Sequence, residues 1–223
     1  MAVKLVKPIN HKKVVKITNQ DFEAKMRELR VNSDIAVAVS GGPDSLALMH
    51  LSNRYALNNN INLTVLSIDH GIRAESSKEI VWLKKVAKKN KINFYSTKLK
   101  KKINSSNTLS KARTLRYEAL SKYCNKKKIK FLLTAHHLDD EIENFLMRLV
   151  RGSGIKGLSS LKVKSRYKNT KLILVRPLLE YSKKSLVAYL SEQKQVYIND
   201  RTNYNNKYDS CLLYTSPSPR DRY

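Results

Sequence analysis

The sequence predicts an α/β protein built on a doubly wound parallel sheet. Short apolar runs of strand length alternate with longer stretches whose apolar residues recur at helical spacing. Such alternation is typical of β-α-β units, in which consecutive strands lie parallel. Polar motifs follow directly after the runs that end at Val39, Ile68 and Ala135. Because ligands of open parallel sheets bind beyond the carboxyl ends of strands, we expect these motifs to form one site.

Each element is predicted from its local pattern. The run DIAVAV at residues 34–39 is short, apolar and followed by glycines, as expected for a buried strand. Residues 75–90 have the pattern of an amphipathic helix, with Ile80, Leu83 and Ala87 on one face. The predicted strands are 34–39, 63–68, 92–97, 130–135 and 172–175, and the predicted helices are 21–30, 75–90, 109–124, 139–151, 182–194 and the stretch LALMHLSNRYAL after Asp44-Ser45.

We expect one domain over residues 21–209, preceded by a basic, unpatterned arm at residues 1–20. Residues 210–223 differ from the rest, because they show neither a helical nor a strand period and contain two prolines within three residues. This segment resembles the translation of a sequencing adapter. We therefore expect it to be non-native and leave it out of the fold.

The chain is strongly basic, with 44 Lys and Arg residues against 18 Asp and Glu, a net charge of +26. A charge of that size indicates a polyanionic partner, with nucleic acid favoured over a membrane surface. The alternative explanation is a lysine-rich proteome. No apolar run is long enough to span a bilayer, and the N-terminus lacks the apolar core of a signal peptide. We therefore expect a cytoplasmic protein with no membrane partner.

The two cysteines, Cys124 and Cys211, form no CxxC pair. A zinc ribbon, a disulfide framework and a dithiol redox centre are therefore disfavoured, and a reducing compartment fits. We expect Cys124 to be a small core residue rather than a nucleophile.

The motif SGGPDS predicts a phosphate-binding loop. Its glycines allow positive φ and a close approach of backbone to ligand, and Pro43 suits the first turn of the following helix. Backbone N–H groups and the positive end of the helix dipole then converge on one anion site. Asp44 would repel that anion unless a cation bridges the two, which indicates a divalent metal such as Mg²⁺. The alternative is an ordinary glycine turn; the GK[ST] of a Walker A loop is missing. The residues assigned to phosphate binding are Ser40, Gly41, Gly42, Pro43, Asp44 and Ser45.

A second group of candidate residues lies in TAHHLDDEIE, residues 134–143. Asp140 and Glu143 are three residues apart on a predicted helix and share a face, where paired carboxylates can hold Mg²⁺ or the ammonium groups of a substrate. The alternative is an acidic helix start that complements the helix dipole. His136 and His137 are adjacent and point different ways, so we expect one to contact phosphate and the other to be structural.

Arginines supply a third group of candidates. Arg113 and Arg116 share one helical face and are placed to bind phosphate or to stack on a base, unless that face is simply solvated. Arg148 and Arg151 precede Gly-Ser-Gly in a basic turn suited to gripping phosphate, for which the alternative is a plain glycine cap.

The strand–SGGPDS–helix arrangement resembles the pyrophosphate loop of the N-type ATP pyrophosphatases. Further motifs follow it, and their order and spacing over about residues 34–209 resemble the tRNA-lysidine synthetase family. Asn144 stands where that family commonly has threonine, and the family's continuation after Tyr208 is missing. The motifs are DHGIR at 69–73, Asn107 with AR and RY at 112–117, TAHHLDD with Glu143, RLVRGSG at 148–154, RPLL at 176–179, and Asp200 with Thr202, Asn203 and Tyr208.

The resemblance implies a Rossmann-like, adenine nucleotide alpha hydrolase-like fold. It also implies that ATP and Mg²⁺ are used to join free L-lysine to C2 of the wobble cytidine of tRNA(Ile), whose anticodon is CAU. The reaction would pass through an adenylated tRNA and release AMP and pyrophosphate. The site residues implied are Asp44, Asp140 and Glu143 for catalysis, Asp44 and Asp140 for the metal, and His70, Arg113 and His136, beside the SGGPDS residues, for ATP.

Two other functions stay open at this point. A tRNA-thiolating enzyme of the same superfamily would need a sulfur carrier or a catalytic cysteine. A basic RNA-binding fragment with weak catalysis is the other alternative, although the intact SGGPDS and DDEIE segments argue against it. The oligomeric state is also open, a homodimer included.

Overall fold

The computed structural model of the chain describes residues 5–6, 16–69, 76–98, 108–150, 152 and 161–198. The described elements follow in chain order: β1 (Leu5–Val6), α1 (Asn19–Glu28), β2 (Ile35–Ala38), α2 (Pro43–Asn58), β3 (Leu63–Asp69), α3 (Ser76–Lys89), β4 (Asn93–Lys98), α4 (Thr108–Lys126), β5 (Phe131–Leu133), α5 (Leu138–Val150), β6 (Lys164–Arg166), β7 (Ile173–Val175), α6 (Lys183–Glu192) and β8 (Tyr197–Ile198).

A six-stranded sheet organises the described residues, in the order β4-β3-β2-β5-β7-β6. The central strand β2 pairs in parallel with both of its neighbours, since Val37 lies opposite Val65 of β3 and Leu133 of β5. β4 and β7 extend the parallel sheet on either side, and β6 adds an antiparallel edge to β7. β1 and β8 form a separate antiparallel pair, with Leu5 opposite Ile198.

The direction of winding changes at β2. The chain proceeds from β2 to β3 and β4 on one side, then returns through α4 to β5 on the other side of β2. Connections leave the carboxyl ends of β2 and β5 in opposite directions, which opens a crevice where doubly wound sheets bind ligands. The SGGPDS segment follows β2 and the two histidines follow β5, so the fold brings these motifs to the same crevice.

Helices cover both faces of the sheet. Successive side chains of a strand point to opposite faces, and Ile35 and Val37 lie in a core cluster with residues of α1, α2, α3 and α6. Ala36 lies in a second cluster with Tyr117, Leu120 and Cys124 of α4. This arrangement confirms the predicted doubly wound α/β fold.

The predicted strands and helices are all present, with ends that differ by a few residues. The sequence did not predict β6, which reads Lys-Ser-Arg and has no apolar pattern, or β8, which has two residues. Both strands are held by backbone pairing, which leaves little signal in the side chains. β1 lies within the segment expected to be an unpatterned arm, and residues 210–223 lie outside the described residues.

Candidate active site

The phosphate loop is the segment Ser40–Ser45 between β2 and α2. Gly41 adopts a φ of +95°, a conformation that strongly favours glycine. Gly42 is the N-cap of α2 and Pro43 begins the helix, as predicted. Since glycine offers no capping side chain, the N–H groups of the first turn remain suited to an anion at the positive end of the helix.

Two serines brace this loop from inside. The backbone N–H of Ser40 donates to Oγ of Ser45 at 3.2 Å, and the Ser45 hydroxyl donates to the Gly42 carbonyl at 3.0 Å. The two hydroxyl oxygens are 3.3 Å apart. Because Ser45 is buried and donates its hydroxyl proton to Gly42, its hydroxyl fixes the shape of the loop. The phosphate contact expected from Ser45 stays a prediction.

Asp44 lies in the first turn of α2 and faces the end of β5. Its Oδ2 is 3.6 Å from Nε2 of His137. The other carboxylate oxygen, Oδ1, is buried and has no hydrogen-bond partner among the described residues. A buried carboxylate oxygen without a donor is costly, so a cation on this side of Asp44 would stabilise it.

Three aspartate side chains lie around the ring of His137. Nε2 lies 3.6 Å from Oδ2 of both Asp44 and Asp140, and Nδ1 lies 3.5 Å from Oδ2 of Asp139. Burial disfavours the charged ring, but the three carboxylates outweigh burial and raise the pKa of His137 above its ordinary value. The three carboxylates therefore favour the protonated form of His137 more than water does.

The acidic residues of α5 differ in what they contact. Asp139 accepts the backbone N–H of Lys183 at 2.7 Å and so ties α5 to the start of α6. Asp140 accepts the backbone N–H of His137 at 3.0 Å, which caps α5, and its carboxylate contacts the same ring nitrogen of His137 as Asp44 does. Glu143 is exposed one turn further along, without a hydrogen bond or ion pair to another described residue.

His136 lies in a basic environment, although its neighbour in the chain lies in an acidic one. Its Nε2 is 3.5 Å from Nη2 of Arg113, and its Nδ1 is 3.0 Å from Oγ1 of Thr134. Burial, followed by the positive charges of Arg176, Arg113 and Arg116, lowers the pKa of His136 to about 3. Because a guanidinium can only donate, Nε2 accepts from Arg113 and the neutral ring carries its proton on Nδ1.

Arg176 completes this basic side of the site, directly after β7. It is 8% exposed, and its Nη1 donates to the carbonyl of Lys162 at 2.7 Å and to Oγ of Ser165 at 3.2 Å. The buried Nε has no hydrogen-bond partner among the described residues. The sequence singles out Arg176 in the RPLL motif without a role; its place beside His136 follows only from the pairing of β7 with β5.

Arg113 and Arg116 are held over one aromatic ring, as their shared helical face predicts. Their guanidinium carbons lie 5.9 and 5.6 Å from the centroid of the Tyr117 ring. Among the described residues, neither of these arginines nor Arg176 forms an ion pair with a carboxylate. Three guanidinium groups around a neutral histidine therefore suit an anionic ligand.

The acidic side fits a divalent cation that is held together with a substrate. Asp44 and Asp140 both approach the same nitrogen of His137, and no described residue donates a hydrogen bond to Asp44 Oδ1. Mg²⁺ is usually held by one or two carboxylates and by phosphate oxygens of the substrate. The described part of the chain contains no group of three or more His, Cys, Asp and Glu residues that could by itself hold a metal.

Several predicted site residues lie outside the described residues. They include His70, assigned to ATP, and the motif residues Arg73, Asn107, Arg151 and Asp200. Their places in the site stay predictions.

Cys124 is a core residue, as predicted. It is buried on α4 in the second core cluster, and burial raises the pKa of its thiol to about 12. Because the thiolate is the nucleophilic form, Cys124 is unsuited to sulfur chemistry. Across the described ranges, no helix combines the length and the apolar character needed to cross a membrane.

A glycine loop at the switch point, flanked by an acidic and a basic side, defines a nucleotide-binding domain of the PP-loop class. The family model for the PP-loop domain matches residues 11–216, and the chain belongs to this family, which implies that it uses ATP. The U34-tRNA thiolase NcsA from Methanococcus maripaludis, solved with its [4Fe-4S] cluster, has a similar fold. Its TM-score is 0.71 over 86% of this chain and 70% of the thiolase, at 22% identity.

Proteins with higher sequence identity to the chain than the thiolase are named as one kind of enzyme. The tRNA(Ile)-lysidine synthase of Rickettsia bellii (strain OSU 85-389) is 45% identical over 176 residues, which are 79% of this chain and 40% of the relative. The synthase of Wolbachia pipientis wMel is 40% identical over 184 residues, 81% of this chain and 42% of the relative. These relatives confirm the resemblance to tRNA-lysidine synthetases. The chain spans less than half of the length of the relatives it matches.

Proposed function

We propose that this protein uses ATP to join free L-lysine to C2 of the wobble cytidine of tRNA(Ile) with a CAU anticodon. The observation that supports the proposal most is the division of one crevice into two sides of opposite charge. Asp44 and Asp140 lie on the acidic side, and Arg113 and Arg176 lie on the basic side. A reaction between a polyphosphate and an ammonium-bearing substrate needs both.

In the first step, O2 of the cytidine attacks the α-phosphorus of ATP, and pyrophosphate leaves. The backbone N–H groups at the start of α2 and the guanidinium of Arg113 would stabilise the charge on the phosphates. Asp44 and Asp140 would hold Mg²⁺, which supplies further neutralisation of that charge when bound. The product of this step is a tRNA adenylated at the cytidine.

In the second step, the side-chain amine of lysine attacks C2, a carbon–nitrogen bond forms, and AMP leaves with the oxygen. The amine must first lose a proton to become nucleophilic, and a nearby carboxylate can accept or orient it. Glu143 is suited to this role because it is exposed and carries no other described contact, whereas Asp139 is committed to α6.

The charge of the chain and its cysteines also support this function. A net charge of +26 suits a tRNA substrate, and we place the reaction in the cytoplasm, where tRNA and free lysine occur together. The thiolation alternative is weaker, because Cys124 is a core residue with a raised pKa.

The direct test is incorporation of radiolabelled lysine into a tRNA(Ile) transcript in the presence of ATP and Mg²⁺. A transcript with uridine in place of the wobble cytidine is the control, because it keeps O2 but has a C4 carbonyl and an N3–H in place of the amino group and free N3 of cytosine. We expect label only in the cytidine transcript. Label in both transcripts, or ATP-dependent sulfur transfer in place of lysine transfer, would contradict the proposal.

A further inference from the structure

The short strand β8 ends on the phosphate loop. The backbone N–H of Ile198 donates to the carbonyl oxygen of Gly41 at 2.9 Å. The Ile198 side chain fills the space beside the Gly41 Cα, because a Cβ added to Gly41 would lie 2.5 Å from Ile198 Cδ1. Ile198 is buried, and Leu5 of β1 pairs with it on the other side. Backbone and side chain of Ile198 therefore both contact the same glycine.

The hydrogen bond to Gly41 orients more than one atom. A peptide group is planar and trans, so the carbonyl of Gly41 and the N–H of Gly42 point in opposite directions. By holding the carbonyl toward β8, Ile198 turns the Gly42 N–H away from β8. Gly42 is the N-cap of α2, and its N–H is one of the donors at the positive end of that helix.

The segment that leads into β8 contacts α2 a second time. Oε1 of Gln195 lies 3.1 Å from Nε2 of His50, which is on the helix that the phosphate loop opens. Residues 195–198 thus bind to both the loop and the body of α2. This segment, which we call the latch, holds the loop and its helix as one unit.

We propose that the latch sets the conformation in which the phosphate loop binds ATP, with Ile198 as a positioning residue. This inference rests on the assignment of ATP to the loop. A purely structural role predicts that truncation of Ile198 lowers thermal stability and leaves ATP affinity unchanged. A positioning role predicts that ATP affinity falls by more than the loss of core packing explains.

The chain offers a matched control for this distinction. Ile92 is also 7% exposed, as Ile198 is, but it packs in the core away from the loop, immediately before β4. The experiment compares Ile198→Ala, Ile198→Val and Ile92→Ala. Melting temperature and the Kd for ATP, from calorimetric titration well below the melting temperature, are measured for each.

We expect Ile198→Ala to weaken ATP binding by about tenfold, equivalent to about 1.4 kcal/mol. Ile198→Val keeps most of the contact with Gly41, so its Kd for ATP should stay within about twofold of that of the unaltered chain. Ile92→Ala should lower the melting temperature without changing the Kd for ATP. Equal ATP affinity in all folded variants would overturn the latch but not the proposed function, whereas no ATP binding by the unaltered chain would overturn both.

A second measurement needs no substitution and so does not depend on a variant that folds. The amide of Ile198 is hydrogen-bonded to the loop, so ATP binding should slow its hydrogen exchange if loop and latch are coupled. We expect slower exchange of the Ile198 amide on addition of ATP and no change at the Ile92 amide. Exchange of Ile198 that is indifferent to saturating ATP would contradict the coupling.

Discussion

His136 and His137 are consecutive residues whose rings lie in environments of opposite charge. The ring of His136 contacts Arg113 and has a pKa lowered to about 3, first by burial and then by nearby guanidinium groups. The ring of His137 lies among Asp44, Asp139 and Asp140, which raise its pKa against the effect of burial. Two consecutive residues after the carboxyl end of β5 thus lie in a basic and an acidic region of the site. That separation allows one crevice to receive both an anion and a cation.

The lowered pKa of His136 predicts a loss of stability in acid. In the unfolded chain, the His136 ring is protonated with the ordinary histidine pKa of about 6.5. In the folded chain, its pKa is about 3, so the ring stays neutral until the pH approaches that value. Above pH 6.5, His136 therefore leaves the free energy of unfolding unchanged. As the pH falls below that value, it lowers the free energy of unfolding by up to about 1.4 kcal/mol per pH unit. His136→Asn should flatten urea-unfolding stability between about pH 6.5 and pH 4. An unchanged pH dependence in the variant would place the titrating group elsewhere.

Removal of the loop carboxylate should abolish activation of the substrate. We expect Asp44→Ala to reduce ATP–pyrophosphate exchange, measured with tRNA(Ile) present, by at least about a hundredfold, because the phosphates lose their cation bridge. Circular dichroism should show an intact fold. Asp34→Ala is the matched control, since Asp34 precedes β2 at the strand's opposite end and accepts from Asn62. Near-normal exchange in folded Asp44→Ala would disprove the metal-bridging role.

Substitution of Glu143, the exposed glutamate of α5, should change the KM for lysine more than the KM for ATP. We expect Glu143→Gln to raise the KM for lysine by about tenfold with a small change in the KM for ATP. Asp140→Asn should raise both, because Asp140 lies beside Asp44 across His137. Glu141→Gln makes the same change on the same helix and serves as the control. A weaker ATP interaction with an unchanged lysine KM in Glu143→Gln would move the lysine site elsewhere.

Two glycines with positive φ should respond differently to the same substitution. Gly41 (φ +95°) is contacted by Ile198, whereas an added Cβ at Gly152 (φ +66°) would have no atom of the described residues within 4 Å. Alanine is strained at both positions, by about 1–3 kcal/mol, but only Gly41→Ala also meets another side chain. We expect a larger loss of unfolding free energy for Gly41→Ala, with part of the difference removed in Gly41→Ala/Ile198→Ala. Equal losses for the two single variants would show that the contact carries no energy.

Binding to tRNA should weaken steeply with salt. Neutralised phosphates release counterions, so log K should fall linearly with log salt concentration. A filter-binding titration at several salt concentrations gives the slope, and uncharged osmolyte at matched osmolarity is the control. An affinity that does not change with salt would mean that the charge of +26 reflects composition alone.

The sequence could predict those parts of the site that are formed by residues close together in the chain. An apolar strand, two glycines, a proline and a helix are contiguous, so the loop and the position of Asp44 in the first turn of α2 follow from short-range rules. Arg176 and Ile198 could not be placed in this way. Arg176 reaches His136 through the pairing of β7 with β5, and Ile198 reaches Gly41 through a strand of two residues. Contacts made by backbone pairing over long separations leave no periodicity to read.

The position of β2 has a consequence for synthesis of the protein. β2 pairs with β5 as well as with β3, and the loop that follows β2 is contacted by Ile198, far later in the chain. Since chains emerge from the ribosome N-terminus first, Gly41 leaves it long before the residues that hold it in place. In the nascent chain, the nucleotide loop is therefore exposed without Ile198 until β8 has left the ribosome. On the proposed role of the latch, the ATP-binding conformation of the loop becomes available only at that point.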